Sequence, residues 1–136
     1  MTSLNIHKIK IPSLKENIRI VESFIDNAKD SNKLNDDIYG NIMVAVTESV
    51  NNAIKHGNGE NKEKNVWLSL SYEGKMIKFV IEDEGLGFDF KTLPDPTAPK
   101  NIDKPNGRGI FLMKHLSDEV SFKDEGKVVE LCFYLD

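Results

Sequence analysis

The stretch Glu48-Ser-Val-Asn-Asn52-Ala-Ile-Lys-His56-Gly57 carries two patterns at once. Placed on a wheel at about 100° per residue, it continues a helical arc that begins upstream, with Ile38, Ile42, Ala45, Val46, Ser49 and Ala53 on one side. Glu48, Asn52 and His56 follow one another at i, i+4 and i+8 along the edge of that arc. The apolar face predicts a helix from about Asp36 to Lys55, stopped at Gly57 and Gly59. The polar edge puts a carboxylate and an amide where they are neither in open water nor fully inside.

Outward from this helix the elements follow in order. Leu4 to Ile11 is apolar and β-branched enough for a strand, ended by Pro12. Ser13-Leu-Lys-Glu16 fits a capping box, and Ile18, Val21, Ile25 and Ala28 continue it as an amphipathic helix over 14–29. Downstream, Val66 to Tyr72 and Met76 to Asp83 alternate apolar and polar residues as strands, joined by a turn at Tyr72-Glu-Gly-Lys75. Residues 88–106 hold four of the five prolines and no glycine, and read as a lid or linker. A short helix from Gly107 or Gly109 to Leu116 and strands at 120–122 and 128–135 close the chain. The order β-α-α-β-β-lid-α-β-β predicts an α+β fold: a two-layer sandwich in which helices cover one face of a mixed, mostly antiparallel sheet.

The 136 residues suit one domain, 1–136, able to bury roughly two thirds of its unfolded surface. Apolar content of 39% and charged content of 29% are those of a globular protein. The apolar run Ile42 to Val46 falls far short of the ~20 residues that span a bilayer. A single cysteine, Cys132, excludes an internal disulfide, and no Cys/His cluster has zinc spacing. These features predict a cytoplasmic protein without membrane segments. The net charge of -4 argues against direct nucleic-acid binding, which needs a basic face.

Three short clusters can carry chemistry. In the first, a partly desolvated Glu48 suits a general base, and the hard carbonyl oxygen of Asn52 suits Mg²⁺. In the second, Asp83-Glu-Gly85-Leu-Gly87, the glycines let backbone approach a ligand, and Asp83 can accept a hydrogen bond from an exocyclic amine such as that of adenine. In the third, Asn106-Gly107-Arg-Gly109-Ile-Phe-Leu-Met-Lys114, helix-opening glycines expose amides to phosphate oxygens, and Arg108 can add charge. Neither a GxxxxGK[ST] loop nor a GxGxxG fingerprint occurs, which disfavours P-loop and Rossmann sites.

Taken in order, Thr47 to Gly57, Asp83 to Phe88 and Gly107 to Met113 resemble the GHKL (Bergerat) ATP-binding superfamily over nearly the whole chain. Within it the sequence is most similar to the anti-sigma factor serine/threonine kinases of bacteria. The resemblance implies three helices on the sheet, and Glu48 as the base that takes the proton from an attacking serine. It implies Asn52 as the Mg²⁺ ligand, Asp83 as the adenine-binding aspartate with Gly85 and Gly87 shaping the pocket floor, and 88–106 as the ATP lid. Gly107 and Gly109 then meet the phosphates through their backbone. Lys55, Arg108 and Ile110 join the nucleotide-binding set, with Lys104 a further candidate for phosphate charge. His56 matches a histidine frequent in the group, without assigned chemistry.

The cofactors so implied are ATP or ADP and Mg²⁺. The implied function is phosphoryl transfer from ATP to a STAS-type anti-anti-sigma factor by a homodimer that also sequesters a sigma factor. Arg19 is a candidate partner contact. The competing reading is an ATP-binding regulatory module that sequesters a partner without transfer. A detached histidine-kinase part is disfavoured, because none of His7, His56 and His115 is placed as a phosphoacceptor.

Overall fold

A computed structural model of the chain describes residues 7–32, 34–85 and 105–135. The elements are β1 (His7–Pro12), α1 (Ile18–Asn32), α2 (Asp36–Asn52), β2 (Asn65–Glu73), β3 (Met76–Asp83), α3 (Pro105–Leu116), β4 (Glu119–Lys123) and β5 (Val128–Tyr134). The strands form one sheet in the order β1-β2-β3-β5-β4. All four pairings are antiparallel, so the mixed sheet expected from sequence is simpler among the described residues. Pairing of Glu73 with Met76 leaves Gly74-Lys75 as the hairpin loop, and Gly74 takes φ 61°, a left-handed value that glycine adopts without strain.

Alternation along the strands decides which face is covered. Ile11, Val66, Leu68, Leu70, Ile77, Phe79, Ile81, Val129, Leu131 and Phe133 all point to the helical side and are buried. The helices meet them with Val21 and Ile25 of α1, Ile42, Ala45, Val46 and Val50 of α2, and Ile110 and Met113 of α3. Phe79 and Phe133 pack edge to face across β3 and β5, with centroids 6.1 Å apart and ring planes at 81°. Cys132 projects to the opposite face. Burial pushes its thiol pKa up, which disfavours the reactive thiolate.

Three local expectations need correction. Ser13 does not cap a helix: a 3₁₀ turn at Lys15–Asn17 precedes α1, and its leading residue, Leu14, makes no side-chain cap. The Ser13 hydroxyl, fully buried, instead donates to the Lys64 carbonyl at 2.7 Å, a long-range bond that outcompetes the local one. The second helix stops being α-helical at Asn52 and finishes as a π-helical turn, Ala53–Gly57. Its start is capped by Asn35, whose side chain accepts from the Ile38 amide at 2.9 Å. The third helix begins at Pro105, because proline's fixed φ favours a first helical position, so Pro105 and Asn106 belong to the helix and not to a lid. The rest of the expected lid, Gly87 and Lys104 included, lies outside the described residues, as does the start of the expected first strand.

Phe79→Ala should lower unfolding free energy by about 3–5 kcal/mol, since it removes a fully buried ring from the centre of the core. Urea denaturation of the two proteins measures it. A loss below ~1 kcal/mol would mean that this part of the core repacks without cost.

Candidate nucleotide site

The three clusters converge on the C-terminal end of α2. The core arc of α2 is buried as its period requires, and it carries Ser49 and Asn52 inward with it, at 1% and 5% exposure. Glu48 stays half-buried at the rim. Among the described residues neither the Ser49 hydroxyl nor the Asn52 Nδ2 has a hydrogen-bond partner, although both atoms are buried. Buried polar atoms are rarely left unsatisfied, and two neighbours on one helix point to a missing polar guest.

α3 packs along α2 and brings Gly109 over Glu48 and Asn52. A methyl group on its Cα would lie 3.1 Å from Glu48 Oε2, 3.3 Å from Asn52 Nδ2 and 3.6 Å from Asn52 Oδ1. A side chain at this position would press on both residues and take up the corner between them. Early amides of α3 lack intrahelical acceptors, which adds donors and the positive end of the helix dipole beside it. The residues fit a phosphate and its metal ion: an amide oxygen for a hard cation, orphaned donors for anionic oxygens, and a side-chain-free wall.

The second cluster is joined to the first by direct backbone contact. A methyl group on Gly85 would collide with the Gly57 carbonyl, and one on Gly57 would lie 2.8 Å from Asp83 Oδ1 and closer still to its other oxygen. Asp83 is 4% exposed at the end of β3. Its Oδ1 accepts from the Gly85 amide at 2.9 Å, and its own amide donates to the Lys127 carbonyl at 3.0 Å. A buried carboxylate beside glycines at the sheet's end is the arrangement that can receive an exocyclic amine.

Other expected residues fall differently. The π-helical turn takes a wider circuit than an α-turn, so the expected stripe ends at Asn52. Lys55 and His56 are exposed. Arg108 is exposed as well, on the first turns of α3. Ile110 is 4% exposed in the core, so it could contribute only through its backbone. Gly107 lies on α3, and Gly87 lies outside the described residues. Arg19 is exposed on α1. Asn58, which sequence reasoning passed over as part of a Gly57-Asn-Gly59 helix stop, is 3% exposed against the Asp83 loop.

Residues 11–133 match the family model described as the histidine kinase-like ATPase domain. The chain belongs to that family. It is 28% identical over 137 residues to the serine-protein kinase RsbW of Staphylococcus aureus strains JH9 and Newman, covering 94% of this chain and 86% of theirs. Its fold is similar to a crystal structure of the RsbU and RsbW domains of Rv1364c from Mycobacterium tuberculosis, with TM-score 0.65 and 17% identity over 96% of this chain. The chain spans 32% of that longer protein, and the likeness is one of fold. The chain is thus an α+β member of the histidine kinase-like ATPases, homologous to RsbW kinases. Among the described residues no helix is long and apolar enough to cross a membrane.

Gly85→Ala should cost about 1–3 kcal/mol or more, because the carbonyl it meets belongs to backbone that cannot swing aside. Gly40→Ala, on the exposed side of α2 with nothing within 4 Å, should instead add about 0.5–1 kcal/mol. Thermal melts of the pair check both signs. Equal stability of the two variants would refute the close approach at Gly85.

Proposed function

We propose that this chain is an ATP-dependent protein serine/threonine kinase and anti-sigma factor. It transfers the γ-phosphate of ATP to a STAS-type anti-anti-sigma factor and sequesters a sigma factor. One observation carries the reading furthest: the half-buried Glu48 carboxylate and the orphaned Asn52 amide share the side-chain-free corner at Gly109. The homology to RsbW serine-protein kinases supports it independently.

In this reading Asp83 receives the adenine amine, the amide of Gly107 in the first turn of α3 donates to phosphate oxygens, and Gly109, whose own amide bonds back within α3, leaves room for them. The side-chain oxygen of Asn52 would hold Mg²⁺, which would supply charge neutralisation for the phosphates. Glu48 orients the acceptor serine hydroxyl and takes its proton as that oxygen bonds to the γ-phosphorus. The bond from the γ-phosphorus to the bridging oxygen breaks, and ADP leaves with the electron pair. The protein's work is placement and charge compensation, with proton removal as the one chemical task of a side chain.

Partner choice then acts as a switch, since phosphorylating the antagonist releases it and leaves the kinase for the sigma factor. The kinase works as a homodimer through the sheet face that no described helix covers. Trp67, Val80 and Val128 stand there among Lys78, Glu130 and Lys123, and Glu130 pairs with both lysines at 3.8 and 2.8 Å.

Glu48→Gln tests the assignment, because glutamine keeps the size and loses the base. Transfer of label from γ-labelled ATP to a STAS partner should fall at least ~100-fold, within the range general-base removal produces. ATP affinity should stay within about threefold of the parent, read by calorimetry. Loss of ATP binding in this variant would contradict the base role. Absence of label on any STAS partner from the parent protein, with ATP still bound, would leave a sequestering module and no kinase.

A further inference from the structure

We propose that Asn58 is a positioning residue for nucleotide selection: it fixes the Asp83-Glu84-Gly85 loop so that Asp83 meets the base at one angle. The proposal rests on reading Asp83 as the group that receives the adenine amine. Asn58 belongs to no ligand-facing motif, yet four chain segments are tied at its side chain. Its Nδ2 donates to Ser13 Oγ at 2.8 Å and to the Asn65 carbonyl at 2.8 Å. Its Oδ1 accepts from the Glu84 amide at 2.9 Å. The acceptor carbonyl on one side and the donor amide on the other fix the orientation of the Asn58 amide without ambiguity.

The loop it holds has little remaining freedom. The amides of Asp83, Glu84 and Gly85 are each engaged, by the Lys127 carbonyl, Asn58 Oδ1 and Asp83 Oδ1 in turn. The Glu84 carboxylate accepts from the Asn65 amide. The Asn58 side chain ties this loop to the turn that follows the helix carrying Glu48 and Asn52, next to the close backbone approach of Gly57 and Gly85. It therefore helps to set the position of the Asp83 carboxylate relative to the phosphate end of the site.

The π-helical turn explains how Asn58 arrives there. Its backbone amide donates to the Ala53 carbonyl at 2.8 Å, five residues back, which closes the wide turn. An ordinary α-turn would have delivered this residue at a different angle. π-turns concentrate where a helix must aim a particular residue. The buried Ser13 completes the arrangement: its hydroxyl donates to Lys64, so its lone pairs are what remain for Asn58.

Binding of ADP and of GDP to the parent protein, Asn58→Ala and Ser13→Ala, with circular dichroism to show that each is folded, tests the assignment. The parent should prefer ADP. Asn58→Ala should lose about tenfold in ADP affinity, as expected for a buried amide deprived of its acceptor, while GDP affinity changes less. The ADP-to-GDP ratio should therefore shrink. Ser13→Ala, which removes one of the two acceptors that orient Asn58, should shrink it in the same direction by a smaller factor. A residue that only stabilises the fold would lower the melting temperature and leave that ratio unchanged. A folded Asn58→Ala protein with the parent's ratio overturns the proposal. Should Asn58→Ala fail to fold, an unchanged ratio in Ser13→Ala overturns it. A parent protein that binds neither nucleotide removes the reading of Asp83 itself, a result distinct from either.

Discussion

The architecture of the site depends on backbone meeting backbone at the end of α2. The Gly57 carbonyl rests against the Cα of Gly85, and Gly57 in turn leaves room for the Asp83 carboxylate. No residue with a side chain could stand at position 85 without pushing the two segments apart. That contact joins the helix, which carries Glu48 and Asn52, to the strand end, which carries the buried Asp83 carboxylate. Gly109 repeats the device on the other side, where α3 comes over Glu48 and Asn52. The three glycines are spaced far apart in the chain and act on one small volume.

The sheet and helices serve this junction. An all-antiparallel sheet with a continuous apolar face holds α2 at a fixed height, because the strand residues that meet it are almost completely buried. Burial of that extent stabilises by about 25 cal/mol per Å² of apolar surface removed from water, which makes the helix a rigid platform. The polar residues on its inner edge are then carried to places that they would not choose. Ser49 and Asn52 are held inside with atoms that find no partner among the described residues. Sites that bind charged groups without reorganising are built in this way.

Much of this was legible in the sequence because it depends on local period. The helical arc of α2, the alternation in β2 and β3, and the glycine pairs each report a backbone requirement where they stand. The convergence of three motifs was legible only through their order, by resemblance to a known superfamily. What stayed hidden depended on non-local bonds. Ser13 matched a capping box by spacing, and the Lys64 carbonyl and Asn58 claimed its hydroxyl instead. The π-turn at 53–57 has no period that distinguishes it from an α-helix about to end, so His56 read as the continuation of a stripe that stops at Asn52. Pro105 read as lid, although proline is also a good first residue of a helix.

The proposed kinase needs an adenine nucleotide seated between the end of α2, the Asp83 loop and the start of α3. Titration of the isotope-labelled protein with Mg²⁺–ADP, followed by amide and side-chain nitrogen–proton correlation spectra, observes that seat directly. Saturable shifts should centre on the Asn52 side-chain amide and the backbone amides of Gly85 and Gly109, with the open sheet face little affected. Spectra that do not move, or shifts confined to residues remote from these three, would contradict it.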